Sequence, residues 1–211
     1  MTVVKQKKLP IKYILLDMMD TLIPDPFYIA VKKLCGSLEK FNMYKNPAAY
    51  LSFERGEFKV EDYLKNFFKP GLLPQEIPFT IEDFVQNMHT TPALFPEVEK
   101  FLQSHSEVPL AIASNYSSWI HHHIQKLGIA PYFERIFVSY QMKCRKPDAA
   151  FFQQIIGQIK IEPEYILFVD DQPANISAAE RIGFQVLQAT PDWPKALDRF
   201  EWNKKADGTK L

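Results

Sequence analysis

The sequence predicts an α/β fold: a doubly wound parallel sheet with a block of helices inserted after the first strand. Two observations predict it. Short apolar runs alternate with helical spacing through the second half of the chain, which is the pattern of βα units in a parallel sheet covered on both faces. The first such run, in IKYILLDMMDTL (11–22), is separated from the next by residues 27–90, which carry helical spacing and no convincing strand.

In chain order, the run through Tyr13–Leu16 stops abruptly at Asp17, as a buried strand does when its carboxyl end carries a site. Pro24-Asp25-Pro26 forms a stiff turn. Phe27 to about Asn42 reads as one amphipathic helix, with Tyr28, Val31, Leu34, Cys35, Leu38 and Phe41 on one face. Further helices are expected at Pro47–Phe53, Glu61–Phe68 and Ile81–Met88, with Arg55-Gly56-Glu57 and Pro70-Gly71 as breaks. Beyond Pro96 the expected order is helix 97–104, strand Pro109–Ala113, helix Trp119–Leu127 stopped by Gly128, and strand Ile136–Ser139. Helix Ala149–Ile159, strand Tyr165–Val169, helix Ser177–Ile182 stopped by Gly183 and strand Gln185–Gln188 complete the pattern. From Pro191 charge and proline rise, and the closing NKKADGTKL reads as a frayed tail. The expected domains are a core of 1–24 with 91–211 and a helical cap of 25–90.

Composition narrows the function classes. The 211 residues suffice for one domain with an insertion, and 17 Phe with 9 Tyr can build a sizeable core. Twenty-five Lys and Arg balance 25 Asp and Glu, so no global charge attracts nucleic acid or an anionic membrane. No stretch approaches the ~18 apolar residues of a membrane span. The basic N-terminus MTVVKQKKLP lacks an apolar signal core, and Cys35 and Cys144 cannot make a disulfide framework, so the expected location is the cytoplasm.

Three strand ends carry polar residues: Asp17 with Thr21, Ser114 with Asn115, and Asp170 with Asp171. In a parallel sheet these ends share one edge, and Lys146, held extended by Pro147, can reach back over it. Carboxylates, a hydroxyl and an ammonium gathered there suit phosphoryl transfer. Asp17 would be the nucleophile, Ser114 and Lys146 would hold the equatorial oxygens, and Asp17 with Asp171 would bind Mg²⁺.

LLDMMDTL, LAIASN, CRKPD and ILFVDDQPANISAAERIGF stand in order, each after an expected strand, and resemble the four motifs of the haloacid dehalogenase (HAD) superfamily of aspartate-nucleophile hydrolases. The resemblance spans about 11–189 and implies a Rossmann-like core with residues 25–90 as the helical cap. Phe53-Glu54-Arg55-Gly56-Glu57 is similar to a cap segment of the subgroup with dehalogenases and the phosphatase domain of soluble epoxide hydrolases. By resemblance the Met19 backbone carbonyl would be a further metal ligand, Thr21 would support the loop, and Asn115 would line the substrate site. Asp170 would complete the acidic metal site beside Asp171 and orient it.

One departure bears on function. Phosphatases of that superfamily carry a second Asp two residues after the nucleophile, as general acid and base; here Met19 occupies the position, and Asp20 follows in a tight loop that is expected to point it elsewhere. The expected function is therefore a Mg²⁺-dependent hydrolase of a small, anionic phosphorylated substrate, with altered chemistry. The alternatives are a dehalogenase-like hydrolase and a non-catalytic protein that binds a ligand or partner. Arg55 reads either as a surface turn residue or as a guanidinium at the cleft for an anionic substrate. His121-His122-His123 cannot face one ion from a helix and reads as a solvated face.

Overall fold

The computed structural model describes residues 9–105 and 108–202; the NKKADGTKL segment lies outside them. Strand β1 (Tyr13–Leu16) is followed by five helices: α1 (Pro26–Cys35), α2 (Leu38–Tyr44), α3 (Pro47–Glu54), α4 (Val60–Lys65) and α5 (Ile81–Met88). Then come α6 (Pro96–Ser104), β2 (Leu110–Ser114), α7 (Ile120–Leu127), β3 (Arg135–Val138) and a four-residue α8 (Ser139–Met142). The chain continues through α9 (Ala149–Ile159), β4 (Ile166–Asp170), α10 (Pro173–Ile182) and β5 (Gln185–Gln188) to a 3₁₀ segment at Trp193–Arg199.

All five strands are parallel, in the order β3-β2-β1-β4-β5. The period-two alternation of the strands divides the core into two layers. Ile14, Leu16, Ile112, Leu167 and Val169 pack with α6, α7 and the helical block, while Leu15, Ala111, Ala113, Ile166 and Phe168 pack with α9 and α10. The sheet is doubly wound, as its sequence pattern predicts.

The expected single helix at 27–42 is two helices. Gly36 sits at φ 77° and closes α1, and the Ser37 hydroxyl then caps α2 by accepting from Lys40 N at 3.2 Å. The apolar stripe continues across the break, which is why periodicity alone does not reveal it. Between Pro191 and residue 202, where the sequence shows only rising charge and proline, the chain packs on the core. Trp193 is fully buried against Phe101, its Nε1–H donates to the Thr21 carbonyl at 2.9 Å, and Glu201 O accepts from Ile11 N at 2.7 Å. No helix among the described residues is long and apolar enough to cross a membrane.

Candidate active site

Strand register gathers the polar ends. Leu16 pairs with Ile112 and Val169 on either side, so Asp17 and Ser114 emerge at the same edge as Asp170. Asp17 N donates to Val169 O at 2.9 Å, which fixes the start of the turn after β1. That turn is closed by Leu22 N and Ile23 N donating to Met18 O, and by Asp20 N donating to Ile23 O at 2.7 Å.

Lys146 is the centre of charge. Its side chain is fully buried, with Nζ 3.0 Å from Asp17 Oδ1 and 2.5 Å from Asp170 Oδ2. Burial opposes the ammonium, yet the two carboxylates outweigh it and hold the lysine pKa above its ordinary value. Asp17 is also raised, and for it this disfavours the charged form. Burial, with Asp170 adding to it, pushes its carboxyl up to about 7 despite the attraction of Lys146. Burial, then Asp170, likewise raises Asp171.

The remaining groups divide between supports and open positions. Both oxygens of Asp170 are occupied: besides Lys146 they accept from Gln172 N at 2.8 Å and from Asn175 Nδ2 at 2.9 and 3.1 Å. Asn115 lines the cleft, but its amide is spent on the Lys146 backbone, donating to the carbonyl at 2.7 Å and accepting from the N–H at 2.8 Å. Ser114 is buried beside Asp17, and its hydroxyl has no hydrogen-bond partner of good geometry among the described residues. A buried hydroxyl without a well-formed partner next to a carboxylate is a position for a ligand oxygen. Asp17, Asp170 and Asp171 each bring one oxygen within 4.8 Å of the others, a set of hard donors of the kind Mg²⁺ takes.

Met19 lines the cleft, nearly buried. Asp20 sits at φ 53°, and its Oδ1 accepts from Asp25 N at 3.0 Å, so its carboxylate is tied to the backbone of the next turn. Thr21 is fully buried, with its carbonyl held by Trp193. Asp25, in the stiff Pro24–Pro26 turn, caps α1 by accepting from Phe27 N at 2.8 Å and also lines the cleft. Burial pushes its carboxyl up to about 7, with Asp20, Asp17 and Asp171 adding to the rise. Sequence reasoning does not single out Asp25 as a site residue. An Asp immediately before a Pro at a helix start is the available signal, and it reads as a cap before it reads as chemistry.

The cleft has a volume of about 420 Å³ and runs between this edge and the helical block. The block presents Phe27, Tyr28 and Tyr50, with Lys45 Nζ 4.8 Å from the Phe27 ring centroid and 5.6 Å from that of Tyr50. Arg55 is half-buried and is not among the lining residues; the guanidinium in the cleft wall is that of Arg145, whose Nε lies 2.6 Å from Glu54 Oε1. The Arg55–Gly56 turn instead docks on the chain around α8. Lys143 Nζ donates to Gly56 O at 2.6 Å, the Ser139 hydroxyl donates to Glu54 O at 2.9 Å, and a Cβ on Gly56 would stand 2.1 Å from Tyr140 O. These cross-chain partners, 85 and 87 residues apart, leave no local signature.

The histidine run is not a uniformly solvated face. His121 is exposed and meets the Tyr140 hydroxyl at 2.7 Å, and His122 bonds His89 O at 2.9 Å. His123 is fully buried with Nδ1 3.0 Å from Thr91 Oγ1, and burial lowers its pKa to about 4.

A family model described as haloacid dehalogenase-like hydrolase matches residues 14–189. Flavin mononucleotide hydrolase 1, a chloroplast protein of Arabidopsis thaliana, is 30% identical over 182 residues, covering 85% of this chain and 71% of its own. A HAD-like family hydrolase from Porphyromonas gingivalis superposes with a TM-score of 0.69 at 22% identity, over 90% of this chain and 98% of its own. A HAD family enzyme from Bacteroides thetaiotaomicron, solved with magnesium and inorganic phosphate, gives 0.63 at 18% identity, over 84% and 93%. With the family model matching most of its length and the strand-end constellation assembled on the parallel sheet that the motifs imply, the chain belongs to the haloacid dehalogenase-like hydrolase family.

Proposed function

We propose that this protein is a phosphomonoesterase that works through a phosphoaspartyl intermediate on Asp17. The observation that carries the reading is the buried Asp17–Lys146–Asp170 array beside an open Ser114 hydroxyl. In this reading an Asp17 oxygen attacks phosphorus and the ester oxygen leaves. The Lys146 ammonium and the Ser114 hydroxyl hold phosphoryl oxygens as charge spreads over them. Asp170 and Asn115 keep Lys146 in place, one through its ammonium and one through its backbone, and Thr21 supports the turn. Asp17, Asp171 and the Met19 carbonyl are the groups that would hold Mg²⁺, with Asp170 behind them because its oxygens are already committed. When bound, the ion offsets the negative charge of the phosphoryl group.

Residues 25–90 act in this reading as the cap that selects the substrate, through Phe27, Tyr28, Tyr50 and Lys45. An aromatic wall with one ammonium favours a small anionic phosphoester whose other half is planar. The relative named for flavin mononucleotide hydrolysis makes that compound the first natural ester to assay. We propose the cytoplasm as the compartment; the relative's name places that protein in a chloroplast, and cell fractionation decides.

The test is hydrolysis of p-nitrophenyl phosphate with and without Mg²⁺, beside Asp17→Asn. Mg²⁺-dependent turnover that disappears in the variant supports the reading. Absence of turnover on p-nitrophenyl phosphate and on flavin mononucleotide overturns it in favour of a dehalogenase-like or purely binding role.

A further inference from the structure

Met19 cannot exchange a proton, and Asp20, which lines the cleft at φ 53°, has its Oδ1 held by the Asp25 backbone, so the turn that carries the nucleophile supplies no acid at the usual position for an alcohol leaving group. Resting on that reading, we propose that Asp25 is this acid and base, brought from the start of the helical block rather than from the turn that carries the nucleophile.

The geometry supports it in three ways. Asp25 lines the same cleft as Asp17, Ser114 and Lys146, at the junction between the sheet edge and α1. One of its oxygens, Oδ1, is fixed by Phe27 N at 2.8 Å, which sets the orientation of the carboxyl group. Its backbone is pinned by Asp20, so the misplaced acid of the turn serves as a positioning residue for the acid that acts. The charged and titratable groups around it are Asp20, Asp17, Asp171 and Tyr116 on the sheet side, and Tyr28 and Tyr50 on the helical block. Burial, with the three carboxylates adding to it, favours the protonated form against the pull of Phe27 N, and a carboxyl poised near neutrality is matched to proton transfer.

The proton balance closes. As the Asp17–phosphorus bond forms and the phosphorus–oxygen bond to the alcohol breaks, the Asp25 proton passes to the departing oxygen. The resulting Asp25 carboxylate then takes a proton from water, whose oxygen attacks phosphorus. Asp17 leaves as its carboxylate, inorganic phosphate is released, and Asp25 is again protonated.

Asp25→Asn tests this while keeping the helix cap, because the asparagine carbonyl accepts from Phe27 N as well as a carboxylate does. Rapid-mixing assays follow p-nitrophenyl phosphate, whose leaving group needs no proton, and glycerol 3-phosphate, whose leaving group does. The expected result is a nitrophenolate burst of about one equivalent that survives, with a slowed steady state. Glycerol 3-phosphate turnover should fall about 10²–10⁴-fold, and Met19→Asp in the Asp25→Asn background should restore it. Unchanged turnover of glycerol 3-phosphate in Asp25→Asn, with an unchanged melting temperature, overturns the assignment to Asp25 alone. A wild-type protein that turns over p-nitrophenyl phosphate but neither glycerol 3-phosphate nor flavin mononucleotide has no working acid and overturns the assignment. One inert towards p-nitrophenyl phosphate and flavin mononucleotide overturns the phosphatase reading and this assignment with it.

Discussion

The two walls of the cleft are built on opposite principles. The sheet edge is charged and closed: Asp17, Lys146 and Asp170 are almost completely buried, the two carboxylates placed by strand register and the lysine, from the loop before α9, by Asn115 and Asp170. The helical wall is aromatic and open, with Tyr28 50% exposed and Leu38 38% exposed. Parallel strands hold a charge to a fraction of an ångström because the ladder on both sides leaves no freedom, whereas short helices ending at Gly36 and Gly56 present side chains that can repack. In the proposed reading the contrast separates labour: chemistry where positions are rigid, selection where they can adapt.

Breaking the rigid wall should have the largest effects. Asp17→Asn removes the proposed nucleophile, and phosphatase activity should drop about 10⁴-fold or more, read as kcat on p-nitrophenyl phosphate. Lys146→Met leaves two buried carboxylates facing each other. Denaturant titration should show a loss of about 3–5 kcal/mol, the range for removing one partner from a buried ionic array. No loss would mean that the array contributes nothing to the fold.

The seam between the walls comes next. Gly56→Ala forces a Cβ into Tyr140 O at a position with φ 66°, so it should cost about 2–4 kcal/mol from clash and left-handed strain together. A stable Gly56→Ala protein would show that the seam opens freely. On the same side, His123 should impose a pH dependence. Its folded pKa, about 4, lies below the ordinary 6.5, so the unfolded chain binds more protons between those values. Stability should therefore fall as pH drops from about 6.5 to about 4, and His123→Gln should flatten that part of a melting-temperature profile. The smallest effect belongs to the open wall: Tyr28→Ala should raise KM for flavin mononucleotide about 2–10-fold with kcat unchanged, the scale of one aromatic contact. A change in kcat instead would place Tyr28 in the chemistry.

The sequence by itself determined the α/β class, the five strands, the polar residues at three of their ends and the lysine that reaches back over that edge. Buried parallel strands must be apolar runs, and a carboxylate where such a run stops, as at Asp17 after Leu16, marks the sheet edge at which sites are built. It also determined that Met19 cannot move a proton. What only the tertiary structure decided is which partner each polar group has. Asp170 and Asn115 read as ligands because their types are right, yet both are committed to Lys146, 24 and 31 residues away. Arg145 rather than Arg55 stands in the cleft wall, and His123 is buried while His121 is not, because helix phase and the docking of Gly56 on α8 set exposure. Trp193 closes over Thr21 from 172 residues away, within a stretch where the sequence shows only rising charge and proline. Such pairings are invisible to pattern because a side chain's type says what it can bond, while only the folded backbone brings one of its possible partners within about 3 Å.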